Sequence, residues 1–131
     1  MPGSEYRVPS GRKPVSRFEE LLVWQKSKVL CVSVYRVTNS GPFAKDFGLR
    51  SQIQRASVSV MSNIAEGFDR NSRAEFARFL AIARGSAGEV RSQLYLAQEL
   101  GYIDSTTARA VLRDCNEITS MLIGLRKTLG A

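Results

Sequence analysis

Apolar side chains recur at gaps of three and four over long stretches of this chain. The clearest run is Phe76, Leu80, Ala83, Ala87, Val90, Leu94 and Ala97. That spacing keeps one stripe on one side of an α-helix and suits side-by-side helix packing. It predicts a helix from about Arg73 to Leu100. A second stripe, Leu49, Ile53, Ala56, Val60 and Ile64, predicts a helix from about Lys45 to Phe68. Its other sides carry Ser51, Ser57, Ser59, Ser62 and Asn63, mediocre helix formers, so packing has to hold it. The two read as an αα-hairpin around which the rest of the chain is organised.

A first helix should begin near Arg17, with Leu21, Val23, Trp24, Leu30, Cys31, Val34, Tyr35 and Val37 on a broad apolar side. Its β-branched residues would also suit a strand, but a length of more than about twenty residues without a breaker favours helix. Asn39, Ser40, Gly41 and Pro42 end it. A fourth stripe, Ala108, Val111, Cys115, Ile118, Leu122, Leu125 and Leu129, follows Asp104, which is placed to cap it. Ser72 and Glu75 have the spacing of a capping box before the third helix, and Gly101 is placed to end that helix. Gly67 fits a helix end or a close contact. Gly85 and Gly88, with Ala81 and Ser92, form a narrow small-residue side that predicts close approach of another helix, with a ligand groove as the alternative. Four long helices joined by short loops make an all-α, antiparallel up-down-up-down four-helix bundle spanning residues 17–131. Residues 1–16, with Pro2, Gly3, Pro9, Gly11 and Pro14, are expected to form a flexible basic arm.

The chain has 131 residues, one domain's length and enough for a single sizeable core. No apolar run of about eighteen residues is present, and the first residues lack the apolar segment of a secretory signal. A cytoplasmic protein without a membrane span is expected. Cys31 and Cys115 fall on apolar stripes without metal-type spacing and are read as reduced core residues. No histidine occurs at all. This removes the commonest general base, a common zinc ligand and the usual serine and cysteine triads, so no enzyme activity and no cofactor are expected. Glu66, Asp69 and Glu75 lack the Glu-x-x-His pattern of a di-metal carboxylate bundle.

The net charge is +7 with a pI near 9.9. Four basic residues among the first seventeen stand against Glu5, a net of +3, which leaves +4 for the remainder. Such a balance favours polyanionic partners through counterion release, or serves solubility alone. The candidate nucleic-acid contacts are Arg84 and Arg91, one heptad apart on the third helix, Arg50 and Arg55 on the second, and Arg70 and Arg73 at the turn between them. Salt bridges to Glu75, Glu89 and Glu99 are the structural alternative. Aromatic residues do not interleave with these arginines, so any binding should be mostly independent of base sequence. Asn63 and Glu66 are expected to form a structural polar network with Arg78 or Arg84. Trp24 and Tyr35 fit either the core or a subunit contact.

Several ordered motifs also point to a family. They are Phe18-Glu-Glu-Leu-Leu-Val-Trp-Gln25, Gly48-Leu-Arg-Ser-Gln-Ile-Gln-Arg-Ala-Ser57, Ser62-Asn-Ile-Ala-Glu-Gly67, Phe76-Ala-Arg-Phe-Leu-Ala-Ile-Ala-Arg-Gly-Ser86 and Glu99-Leu-Gly-Tyr102. Together they resemble the bacterial four-helix bundle family of 23S rRNA intervening sequence proteins, over roughly Phe18 to Leu129. The resemblance implies an up-down bundle assembled as a homopentameric ring. It implies genes that lie, among other places, inside insertions in large-subunit rRNA genes. The family is similar in shape to the accessory proteins of diversity-generating retroelements, basic bundles that bind nucleic acid and a reverse transcriptase. It carries no established catalytic residues. Family members commonly have a larger side chain where this chain has Gly88. The expected function is therefore a non-enzymatic oligomer that binds RNA or another polyanion, the alternative being a scaffold for another protein.

Overall fold

Leu21 decides where the first long helix begins. Its backbone is extended (φ −74°, ψ 124°), and its amide closes a single 3-10 turn, Phe18–Glu20, by bonding to the Phe18 carbonyl at 2.9 Å. The side chain enters the core, and α1 (Leu22–Thr38) starts from there. The helix expected from Arg17 is thus interrupted, because burying Leu21 and winding residues 18–21 into one α-helix are separate demands. Trp24 meets Phe18 edge-on at 5.1 Å and is half-buried against the core, whereas Tyr35 is exposed.

The computed structural model describes residues 14–130. Most of the expected arm, including Arg7, Arg12 and Lys13, lies outside the described residues. Val15, part of that arm by the density of Pro and Gly around it, is only 5% exposed and joins the hydrophobic core.

The remaining helices are α2 (Phe47–Asp69), α3 (Arg73–Glu99) and α4 (Ser105–Thr128). Each starts on a side-chain cap. Asp46 accepts from the Leu49 amide at 3.1 Å, Ser72 from Glu75 at 3.2 Å, and Asp104 from Thr107 at 2.7 Å. These bonds satisfy amides that a helix start leaves without a partner. After α3, Gly101 takes φ +77°, and the Tyr102 amide reaches back to the Ala97 carbonyl at 2.9 Å.

The helices close a ring: α1 packs on α2 and α4, and α3 packs on α2 and α4. Their antiparallel order shows in the bonds between helix ends. Gln54, near the start of α2, donates to Thr38 at the end of α1 (2.9 Å), and Arg126, near the end of α4, donates to the Ala77 carbonyl at the start of α3 (3.1 Å). The predicted stripes fill the centre, with Ile53, Val60, Ile64, Phe76, Leu80, Val90, Ile118 and Leu122 all buried. The fold is the expected up-down four-helix bundle.

Two features depart from the pattern. Ser57, on an outer side of α2 by its place off the apolar stripe, is fully buried, its hydroxyl bonded to the Gln54 carbonyl at 2.8 Å. Returning the hydroxyl to its own helix lets a serine occupy an apolar position. Gly85 and Gly88 bring no helix close: a Cβ added at either meets nothing within 4 Å, and Ala81 and Ser92 are exposed. The α3 stripe already commits the opposite side to α2 and α4, and within one chain no third helix is left for this face. Close approach occurs instead at Gly67, where an added Cβ would lie 2.5 Å from Cβ of Phe79.

Phe43, in the 3-10 turn Gly41–Lys45, is buried against Tyr102 with ring centres 5.3 Å apart. The Tyr102 hydroxyl donates to Asp46 at 2.9 Å. The α1–α2 and α3–α4 loops are thereby clasped at one end of the bundle.

Candidate polyanion interface

The six candidate arginines do not share one environment. Arg50 sits above the exposed Phe47 ring at 4.9 Å and donates to the Ala44 carbonyl at 2.8 Å, so it helps fold the loop into α2. Arg55 is exposed, and among the described residues no carboxylate pairs with it. Arg70 pairs with Glu66 at 2.9 Å and lies 3.9 Å from Glu75. Arg73 reaches the Thr128 carbonyl at 3.4 Å. Arg91 is half-buried, its Nε finds no hydrogen-bond partner among the described residues, and its charge acts on Cys115 of α4.

The expected network of Asn63, Glu66 and Arg78 divides into separate pieces. Asn63 turns back onto its own helix, donating to the carbonyl and hydroxyl of Ser59 at 2.8 and 2.9 Å. Ser59 in turn shares a 2.8 Å hydrogen bond with Ser86 across the α2–α3 seam. Glu66 is taken by Arg70, while Arg78 makes two 3.2 Å bonds to Glu75. An arginine and a carboxylate three or four apart on one helix meet without help from a neighbouring helix. The Arg78 hydrogen bond holds the Glu75 carboxyl below its ordinary range, and Glu75 raises Arg78 in return. Arg70 and Arg78 also lie over the Phe79 ring, at 5.1 and 4.6 Å.

Arg84 has a different setting. It lines a groove of about 130 Å³ between α3 and α4, together with Leu80 and Ala81 of α3 and Leu122, Ile123, Arg126 and Lys127 of α4. Three cationic residues line it, and among the described residues no acidic one does. Arg126 is pinned through Nε to the Ala77 carbonyl; Lys127 is exposed. Sequence reasoning missed Arg126 and Lys127. The available signal was their place in the last turn of the fourth helix, which an antiparallel neighbour sets beside the first half of the third.

Among the described residues, no three His, Cys, Asp or Glu side chains gather as a metal site would require. Cys31 and Cys115 are free and buried, and burial pushes the Cys115 thiol up to about 12. Among the described residues, no helix is long and apolar enough to cross a membrane.

The sequence pattern of the 23S rRNA-intervening sequence proteins matches residues 19–124 of this chain. The chain belongs to that family. The resemblance carried by the motifs from Phe18 to Tyr102 is borne out by this match and by the four helices themselves. Among solved structures, the bundle is similar to a crystal structure, at 1.70 Å resolution, of a protein with unknown function from the S23 ribosomal protein family of Bacteroides thetaiotaomicron VPI-5482. The two are 30% identical with a TM-score of 0.75, over 81% of this chain and 99% of the other. No curated protein matches the chain. In this member of the 23S rRNA-intervening sequence family, the α3–α4 groove brings Arg84, Arg126 and Lys127 into one lining.

Proposed function

We propose that this member of the family is a non-enzymatic, oligomeric bundle of the cytoplasm that binds RNA or another nucleic acid with little sequence preference. The observation that carries the reading is the groove lined by Arg84, Arg126 and Lys127, with no acidic residue in its lining among the described residues, in a chain of net charge +7. Cations that have spent no charge on local carboxylates are the ones that release counterions when phosphates bind. The absence of histidine and the burial of both thiols support a role in binding rather than catalysis, since a thiolate is the form of cysteine that attacks. Arg55 adds an exposed charge on α2.

Self-association is part of the same reading. Val29 and Val32 on α1 and Tyr95 and Leu96 on α3 are 56%, 44%, 55% and 48% exposed, and exposed apolar faces of this kind suit subunit contacts. The family resemblance supports a homopentamer. The test is retention on structured RNA at about 50 mM salt, with affinity falling steeply as salt rises. Light scattering coupled to size-exclusion chromatography, with and without RNase, reads the assembly and any bound nucleic acid together. Retention no better than for a charge-matched control protein overturns the nucleic-acid reading. A second reading, a scaffold for another protein, draws on the same exposed faces and requires a partner that survives nuclease treatment.

A further inference from the structure

The last turn of α4 is a favourable place for Arg126 and Lys127, because cations there oppose the negative end of the helix dipole. That argument does not reach Arg84, midway along α3. Nor, among the described residues, does an acidic side chain neutralise any of the three along its own helix. Positions three and four before and after Arg84 are Ala81, Leu80, Ala87 and Gly88, and those before Arg126 and Lys127 are Leu122, Ile123 and Gly124. None is acidic, whereas Arg70 and Arg78 each have a carboxylate at such a spacing. Three like charges lining one groove repel. An anion in the groove removes that repulsion. Arg126 is already oriented by the Ala77 carbonyl, so part of the ordering needed to bind an oxyanion is in place before it arrives. The volume of about 130 Å³ is well above the ~10–15 Å³ that one water needs, and suits a small oxyanion.

The geometry points to a seat for a single phosphate group in the α3–α4 groove, with Arg84, Arg126 and Lys127 as its donors. This deepens the nucleic-acid reading and rests on it for the source of the phosphate, which is either the terminal monoester of an RNA strand or one diester of its backbone. Three cations favour the terminal group, which carries more charge than a diester.

The experiment uses the full chain. Inorganic phosphate is titrated while the Nε–H signals of Arg84 and Arg126 are followed by NMR, with chloride at matched ionic strength as the control. One RNA oligonucleotide is then compared with and without a 5′-phosphate by fluorescence anisotropy. Phosphate should move both signals saturably, and the 5′-phosphorylated strand should bind about tenfold tighter, the scale of one charge-assisted hydrogen-bonded group. Arg84→Gln and Lys127→Gln should each remove most of that difference. Among the described residues neither side chain hydrogen-bonds within the fold, and unchanged helix content by circular dichroism verifies folding. Arg109→Gln, about 25 Å away along α4, should leave the difference intact. If the strands bind equally and the groove variants weaken both, the seat stands and holds a backbone diester. Should phosphate act no differently from chloride, with the groove variants no worse than Arg109→Gln, the seat is overturned. Retention of RNA in that case leaves the broader reading standing. Phosphate bound in the groove without RNA retention rejects that reading and keeps the seat.

Discussion

The two seams that flank α3 solve opposite problems. Against α2 the helix packs as closely as its neighbour permits, with Gly67 lying under Phe79, Phe68 edge-on to Phe76 at 5.7 Å, and Ser59 bonded to Ser86. The charges at that end of the seam are paired: Glu66 and Glu75 take up Arg70 and Arg78. Against α4 the same helix leaves an open groove, and among the described residues no carboxylate joins the three cations in its lining. Positive charge on this bundle therefore says little until its neighbours are known. At the α2–α3 turn it is part of the scaffold; at the α3–α4 groove it is free to meet a partner.

The contrast can be broken most severely in the tight seam. Phe68→Ala removes a fully buried ring and should cost about 3–5 kcal/mol in urea unfolding, enough to threaten a domain of ordinary stability. Gly67→Ala comes next. Its new methyl would meet Cβ of Phe79, an atom fixed to the backbone, so the helices must separate at an expected cost of about 1–3 kcal/mol. A Gly67→Ala protein as stable as the parent would show that the seam has room to spare.

Exchanging the two sets of charges sharpens the comparison. Arg84→Gln with Lys127→Gln should weaken RNA binding about tenfold at low salt and make the salt dependence shallower by roughly 0.7 for each phosphate no longer neutralised, while stability moves by less than about 0.5 kcal/mol. Arg70→Gln with Arg78→Gln removes as much charge and should change binding less, because those guanidiniums already serve carboxylates. Equal effects from the two pairs would mean that overall charge, not the groove, governs binding.

Acid should have the smallest effect and act at the helix caps and the α2–α3 turn rather than at the groove. The Arg78 hydrogen bond lowers Glu75, the Leu49 amide and then the Tyr102 hydroxyl lower Asp46, and the Thr107 amide lowers Asp104. A carboxyl depressed in the folded state stabilises above its ordinary value, 4.5 for Glu75 and 3.8 for the two aspartates, and that contribution is lost as pH falls through the lowered value. The thermal midpoint should be level above that range and decline below it. Among the described residues, the groove lining contains no carboxylate to protonate.

The stripes from Leu49 to Ile64, Phe76 to Ala97 and Ala108 to Leu125 determined three helices, their buried sides and, through short loops, the bundle itself. Ser72 and Asp104 marked two helix starts for the same reason: a cap acts within one turn of chain, and so does helical periodicity. Tertiary structure decided the rest. Leu21 broke the first helix and Val15 joined the core because burial is a demand of the assembled bundle. Ser57 went inside because its hydroxyl could bond its own helix, a choice that hydropathy does not encode. Gly85 and Gly88 faced outward because the ring has room for only two neighbours beside α3. The roles of the arginines depended on the same thing. Spacing three apart on one helix was enough to pair Arg78 with Glu75 rather than with the expected Glu66, but Arg84 found Arg126 and Lys127 only when antiparallel packing brought the end of α4 alongside it. Charge acts through space, and distance through space between helices is set by packing.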